Sequence, residues 1–280
     1  LAKLIGSNTG IVEQWADDSG VLPENGDYSL NSTGNFGTVP PYSFKGKNYP
    51  QGRLLYGAGK GWVQTGGGIL DSSIGGGELV FTDRLPDASF VKMLNSQGLQ
   101  KSIVINTAWL SVGHIDEIVA FVPADTKRGW KVVVADPKAA WGILTKIADQ
   151  GLGNTKFLSK LELWAYGLVP EELDKTVNDI INNPSLADAQ EFTDAQIANI
   201  IRTLKIETGI QNSDIIRVPV LFEPNYFNPK NFIATTPNAA NLVVISNNSV
   251  AVAKQHGPLV NVTDVFESVI SKAFSCAGLS

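Results

Sequence analysis

Cysteine and histidine are both scarce: the 280 residues contain one cysteine, Cys276, and two histidines, His114 and His256. A lone cysteine excludes an internal disulfide framework and a zinc site built from cysteines. The pair His114 and Asp116 could supply two metal ligands, but no histidine-rich segment supplies a third, so we expect no metal here. No Gly-x-Ser-x-Gly motif occurs, and no Gly-Lys-Ser or Gly-Lys-Thr follows the glycine clusters, which argues against a serine-hydrolase elbow and a phosphate loop.

Charge and long apolar runs are also limited. Charged residues make up 18% of the chain and its net charge is -5, so we expect no nucleic-acid partner. No apolar run reaches the roughly 20 residues that span a bilayer, so we expect no membrane partner.

We also expect no signal peptide, because Leu1 begins the chain without the basic and apolar segments of one. Three glycosylation sequons, at Asn31, Asn247 and Asn261, favour secretion.

The order of apolar segments predicts an α/β fold in one domain over residues 1–280. Residues 1–80 contain short apolar pieces separated by glycine, proline and asparagine, which indicates short strands joined by turns. Beyond them, the pattern predicts strands at 102–109, 129–137, 214–224 and 241–246, and helices at 86–98, 138–150, 171–183, 193–208 and 264–274.

The stretch WLSVGHIDEIVAFVP, residues 109–123, places polar residues at the end of an apolar strand. In extended backbone, His114 and Asp116 lie on the same face, and Gly113 allows an unusual turn or close approach by a ligand. An imidazole transfers protons near neutral pH, and a carboxylate can hold a cation. The spacing alone fits equally a hydrogen-bonded polar pair at the rim of a strand, so both interpretations stay open.

This stretch resembles a motif of the protein-arginine deiminase family, in which a tryptophan, a Val-Gly-His-x-Asp-Glu core and a Phe-Val-Pro tail recur. Three other stretches resemble family segments in the same order: GNFGTVPPYSFKGKNYPQGRLLYG (34–57), SDIIRVPVLFE (213–223), and PNAANLVVIS with HGPLVN (237–261). The resemblance extends over most of the chain and falls on the family's catalytic domain.

The resemblance implies a pentein fold, which is a five-bladed α/β-propeller around a central active site. It also implies hydrolysis of peptidyl-arginine to citrulline and ammonia, in which a cysteine thiolate attacks the guanidinium carbon and forms a thiouronium intermediate. By motif, His114 is the proton-transfer residue and Asp116 is one of two aspartates that hold the cation. Val112 matches a residue that lines the slot for the arginine stem, and Glu117 is expected to give structural support.

Two catalytic elements of the family have no match in this chain. The family's first aspartate lies upstream of the part of the family that this chain resembles from Leu1 onward. WADDSG (15–20) is similar to the segment that carries this aspartate, but it stands at the wrong place in the order of motifs. The nucleophile lies in a His-Cys-Gly segment beyond SKAFSCAGLS, so Cys276 matches no catalytic position. We therefore expect that the domain is truncated at both ends, and that the chain alone is inactive unless another chain supplies the missing segments.

Calcium is a cofactor that the resemblance implies, and Gly37 weakens this expectation. In the family, the segment matching NSTGNFGTV supplies backbone carbonyls and an acidic side chain to calcium. Here Gly37 follows Phe36, whereas calcium prefers several oxygen ligands that include carboxylates. His256 stands where the family has an apolar or aromatic residue, and we expect it to be structural.

Two alternative functions stay open on the sequence. The first is a binding module that keeps the pentein scaffold without catalysis, and the second is a deiminase that acts on free arginine. The main expectation is an arginine-containing protein or peptide as substrate. For location, the resemblance offers the cytoplasm as the alternative to secretion.

Overall fold

A computed structural model describes residues 28–64, 78–159, 174–226 and 228–280, which belong to two compact units. The first unit contains residues up to 117 together with 200–210 and 224–233, and the second contains 118–199, 211–223 and 234–280. The WADDSG segment lies outside the described residues.

The first unit contains a four-stranded sheet: β1 (Phe36–Val39), β4 (Arg53–Gln64), β5 (Leu79–Arg84) and β6 (Ile103–Asn106). Strand β4 is antiparallel to β1 and β5 and parallel to β6. Strands β2 (Tyr42–Phe44) and β3 (Lys47–Tyr49) form a separate hairpin, and helix α1 (Ala88–Ser96) connects β5 to β6. The apolar core between β4 and α1 consists of Leu54, Tyr56, Ala58 and Leu94, with Phe36, Phe90 and Val91 packed against it.

Strand β6 determines where the loop after it begins. Its residues pair with those of β4 in register: Ile103 lies opposite Leu55 at one end, and Asn106 lies opposite Ala58 at the other. Ile103 and Ile105 are buried and alternate with exposed residues, as expected for a strand with one covered face. The loop at residues 107–117 therefore starts from a fixed edge of the sheet.

The second unit is built on a three-stranded sheet: β7 (Val119–Pro123), β8 (Trp130–Asp136) and β9 (Ile215–Pro219). Strand β8 is antiparallel to β7 and parallel to β9, and it is buried almost throughout, as its β-branched sequence predicts. Four helices contribute to the main core: α2 (Pro137–Ile147), α3 (Val177–Ile181), α4 (Pro184–Thr208) and α5 (Val265–Ser275). The chain also forms the short strands β10 (Phe222–Pro224), β11 (Phe232–Ala234), β12 (Val243–Ser246), β13 (Ser249–Ala251), β14 (Leu259–Val260) and β15 (Thr263–Asp264).

Two helices follow the sequence prediction closely because a side chain caps each one. The carboxylate of Asp87 accepts hydrogen bonds from the amides of Ser89 and Phe90 at the start of α1. Asp264 accepts a hydrogen bond from the amide of Glu267 at the start of α5. Side-chain acceptors at this position satisfy amides that have no partner within the helix.

The predicted boundary between the two central helices is wrong. Within the described residues, the helix predicted at 171–183 is limited to α3, and α4 begins at Pro184 rather than at residue 193. The side chain of Asn183 accepts hydrogen bonds from the amides of Ser185 and Leu186, and Pro184 fits the first helical turn because it lacks an amide hydrogen. The Asn-Pro pair is therefore the start signal that the apolar pattern did not reveal.

The fold class is mixed α/β, as predicted, with several small sheets and five α-helices among the described residues. No closed propeller is evident in these sheets, so the five-bladed form stays a prediction. None of the helices in the described ranges is both long and apolar enough to cross a bilayer.

Candidate active site

The loop between β6 and β7 carries His114 and Asp116 and contacts two short turns, Tyr28–Asn31 and Thr33–Asn35. The amide of Asp116 donates a hydrogen bond of 3.1 Å to the carbonyl of Gly34. The buried side chain of Asn35 holds this turn in place. Its amide group donates to the carbonyls of Leu30 and Gly57, and its carbonyl oxygen accepts from the amide of Gly57, each at 2.9 Å.

Gly34 packs directly against the two candidate catalytic side chains. A Cβ atom at this position would lie 2.8 Å from Oδ2 of Asp116 and closer still to Nδ1 of His114. Neither distance is compatible with ordinary van der Waals contact, so only glycine fits without displacing these side chains. The Gly-Asn pair at 34–35 therefore combines a glycine that leaves room for the site with an asparagine that holds the turn.

Gly113 sets the direction of the loop just before His114. Its φ of +87° lies in the left-handed region, where glycine has no steric cost. The hydroxyl of Thr107 donates a hydrogen bond of 2.6 Å to the carbonyl of Gly113 and links the end of β6 to this turn. The sequence expectation of an unusual turn at Gly113 is confirmed.

His114 has one firmly bonded ring nitrogen and one that faces Asp116. Its Nε2 lies 2.6 Å from the carbonyl oxygen of Ser29. Because a carbonyl can only accept, Nε2 must carry a hydrogen. Nδ1 lies 3.9 Å from Oδ1 of Asp116, which is too long for a direct hydrogen bond but close enough for a charge interaction.

Asp116 has an oxygen without a hydrogen-bond donor. Its Oδ1 atom is buried and has no partner among the described residues, although the side chain as a whole is 38% exposed. Burial raises the pKa of the Asp116 carboxyl above its ordinary value, and the neighbouring His114 acts in the opposite direction. Buried polar atoms nearly always have a partner, so this oxygen is suited to a donor brought by a ligand.

Glu117 is more deeply buried than Asp116 and bonds to the backbone of the same loop. Its Oε1 accepts a hydrogen bond of 2.9 Å from the amide of His114. Burial raises the pKa of the Glu117 carboxyl to about 7, and Asp116 adds to this rise. The bond to the His114 amide and the positive charge of Arg84 act in the opposite direction.

Arg84, at the end of β5, is 3% exposed and lies beneath the loop. Its guanidinium donates hydrogen bonds to the carbonyl oxygens of Ala108 (3.1 Å), Leu110 (2.5 Å), Ser111 (3.1 Å) and Val112 (3.4 Å). One side chain thereby holds most of the backbone that leads to His114.

The structure brings together four of the residues that the sequence singled out: Val112, His114, Asp116 and Glu117. The Val112 side chain is 39% exposed, and its carbonyl accepts a hydrogen bond from the hydroxyl of Ser29. Cys276 lies in the second unit, exposed at the C-terminal end of α5.

His256, also in the second unit, has a positive φ of 50°. Its carbonyl accepts a hydrogen bond from the amide of Ser159. The residue lines a cavity of about 620 Å³ that contains neither His114 nor Asp116.

Sequence reasoning missed Arg84, Thr107 and Ser29, which hold the loop through its backbone. The sequence signal for Arg84 is weak: an arginine at the end of a short strand, two residues before Pro86. Ser29 and Thr107 carry no signal at all, because hydroxyl groups that bond to distant carbonyls have no characteristic spacing.

The expectation of calcium stays a prediction, and the position expected to supply a carboxylate is a glycine. Gly37 in β1 offers no side-chain oxygen, and a Cβ atom there would meet the apolar Cδ1 of Ile115 at 3.0 Å. Within the described ranges, no group of three or more histidine, cysteine, aspartate or glutamate side chains could hold a metal ion.

The chain is similar to known proteins over most of its length. The family profile described as "Protein-arginine deiminase (PAD)" matches residues 1–70 and 74–280. Protein-arginine deiminase type-4 of Homo sapiens is 27% identical over 92% of this chain and 35% of its own length. Protein-arginine deiminase type-3 of Mus musculus is 28% identical over 99% of this chain and 37% of its own length.

Protein-arginine deiminase type-1 of Homo sapiens is 26% identical over 92% of the chain. The chain spans about a third of the length of these curated relatives. The profile match covers nearly all residues, including the loop that carries His114 and Asp116. The chain belongs to the protein-arginine deiminase family.

Proposed function

We propose that this chain forms part of a deiminase active site that converts peptidyl-arginine to citrulline and ammonia, with His114 and Asp116 as catalytic residues. The observation that carries the proposal is the buried Oδ1 of Asp116, which lacks a donor and lies 3.9 Å from Nδ1 of His114. A guanidinium group is a planar cation with five N–H donors, so it can satisfy this oxygen through a charge-assisted hydrogen bond.

The two side chains have separate roles in the proposed reaction. Asp116 binds the guanidinium and keeps its positive charge on the nitrogens that face the carboxylate. A cysteine thiolate attacks the guanidinium carbon, and His114 gives a proton to the departing nitrogen, which leaves as ammonia. His114 then takes one proton from water as the water attacks the thiouronium carbon. The thiolate leaves, and the second proton of that water passes to the released ammonia, which gives citrulline and ammonium.

The firm bond from Nε2 of His114 to Ser29 supports this assignment, because it leaves Nδ1 as the nitrogen that exchanges the proton. The partly exposed Val112 side chain is adjacent in sequence to this turn, which supports its proposed contact with the arginine stem. We assign the nucleophile to no residue of this chain, since Cys276 has no counterpart in the family motif. We further propose that residues 1–280 belong to one catalytic domain with the five-bladed pentein fold.

The test is ammonia release and citrulline formation from an acetylated arginine peptide by the complete gene product that contains this sequence. His114→Asn should lower kcat by at least about 100-fold, because general acid–base catalysis contributes roughly that much. His256→Asn is the matched control and should leave kcat unchanged; asparagine tolerates the positive φ at that position.

An active enzyme that His114→Asn leaves unchanged would contradict the assignment, and a wild-type protein that forms no citrulline would contradict the function. Higher kcat/KM for free arginine than for the peptide would move the substrate class to free guanidines.

A further inference from the structure

Two residues of opposite charge, the buried Arg84 and the partly buried Glu117, form hydrogen bonds with the backbone of the loop between residue 108 and residue 114. We propose that Arg84 and Glu117 form a loop clamp that positions His114 and thereby controls the rate of deimination without touching the substrate. The inference rests on the proposed function, because it assigns positioning residues to the same site.

The guanidinium of Arg84 holds the first part of the loop. Four backbone carbonyls point toward it, and removal of the arginine would take a donor away from those of Ala108, Leu110 and Ser111. The Val112 carbonyl would keep the hydrogen bond from the Ser29 hydroxyl. A guanidinium has five donors spread over a rigid plane, whereas the lysine ammonium has three donors on one nitrogen. Lysine would therefore keep the charge but lose part of these bonds. A Cβ atom at Gly113 would lie 3.3 Å from Nη2 of Arg84, so the guanidinium packs directly against the turn before His114.

Glu117 holds the last part of the loop. Its carboxylate receives the amide hydrogen of His114, while the carbonyl of Ser29 receives the hydrogen on Nε2 of the same residue. The backbone and the ring of His114 are thus fixed independently. The charged groups that act on Glu117 are Arg84 from β5 and Asp116 from its own loop, and the amides of Gly113 and His114 also donate to it.

The first unit contains a second buried arginine that serves as a matched control. Arg53 is 2% exposed and donates to the carbonyls of Lys101 (2.9 Å) and Ser102 (3.1 Å), as Arg84 does to its own loop. Its Nη1 lies 2.7 Å from Oε2 of Glu207. The pair Arg53 and Glu207 has the chemistry of the loop clamp, but it forms no bond with residues 108–117.

The experiment compares Arg84→Lys and Glu117→Gln with Arg53→Lys and Glu207→Gln in the complete gene product. We expect the two arginine variants to lower the thermal midpoint, because both lose several hydrogen bonds to buried carbonyls. Arg84→Lys should lower kcat by about 100-fold with KM changed less than about threefold, because displacement of His114 affects the transition state more than substrate binding. Arg53→Lys and Glu207→Gln should leave kcat within about twofold of wild type.

The pH dependence of kcat separates positioning from simple stabilisation. Above the Glu117 pKa of about 7, the wild-type carboxylate bonds the His114 amide more strongly than a glutamine can. Below that pH, the protonated glutamic acid resembles glutamine. The ratio of wild-type kcat to Glu117→Gln kcat should therefore fall toward one as the pH drops from 8.5 to about 5.5.

The outcomes distinguish this inference from the proposed function. A wild-type protein without deiminase activity would overturn both. If the wild type is active, either of two results would overturn the loop clamp alone. One is an equal fractional loss of kcat in the Arg84 and Arg53 variants. The other is a ratio of wild-type kcat to Glu117→Gln kcat that stays constant with pH.

Discussion

Replacing Glu117 by glutamine should remove a large part of the pH dependence of stability. The carboxyl has an ordinary pKa of 4.5, and burial raises its pKa to about 7 in the folded protein. Between these values the folded state binds more protons than the unfolded state, so the free energy of unfolding falls as the pH rises. A difference of roughly 2.5 between the two pKa values, at about 1.4 kcal/mol per pKa unit, corresponds to about 3 kcal/mol.

The assay is urea unfolding followed by tryptophan fluorescence at several pH values between 4.5 and 8. The unfolding free energy of wild type minus that of Glu117→Gln should decrease by about 3 kcal/mol as the pH rises through this range. Asp87→Asn is a control of opposite sign that requires measurements extended below pH 4. Hydrogen bonds from Ser89 lower the pKa of Asp87 from its ordinary 3.8, so wild type should lose stability relative to this variant only as the pH falls below about 4. Parallel curves for wild type and Glu117→Gln would refute the buried-carboxylate reasoning.

Three further substitutions test other parts of the structure. Gly34→Ala places a Cβ atom against His114 and Asp116 and should lower kcat/KM more than tenfold; a variant with wild-type activity would show that the site has room to adapt. Arg53→Met removes the donor to the carbonyls of Lys101 and Ser102 and should lower the free energy of unfolding by about 2 kcal/mol in urea. A loss below about 0.5 kcal/mol would contradict the importance of these bonds. Cys276→Ser changes an exposed side chain and should alter neither stability nor citrulline formation, whereas loss of activity would assign the nucleophile to Cys276.

The placement of the candidate catalytic pair could be predicted from the sequence. His114 and Asp116, two residues apart, do approach each other. The expected strand, however, ends at Asn106, and the pair lies in the loop that follows it rather than at a strand end. Helix starts at Asp87 and Asp264 were also predictable, because a capping carboxylate acts within three residues of itself.

The supports of the site could not be predicted, because they depend on contacts between distant segments. Arg84 bonds to carbonyls that lie 24 to 28 residues further along the chain, and backbone carbonyls leave no trace in a sequence. Ser29 reaches His114 across 85 residues. The role of Gly34 follows from the space that two other side chains occupy, which only the folded arrangement reveals.

A crystal structure of the complete gene product with His114→Asn, bound to an acetylated arginine amide, would show directly whether Asp116 binds the guanidinium. We expect a guanidinium nitrogen about 2.7–2.9 Å from Oδ1 of Asp116, with the aliphatic stem against Val112. A guanidinium bound elsewhere, with Oδ1 of Asp116 paired instead to a donor of the protein itself, would contradict this expectation.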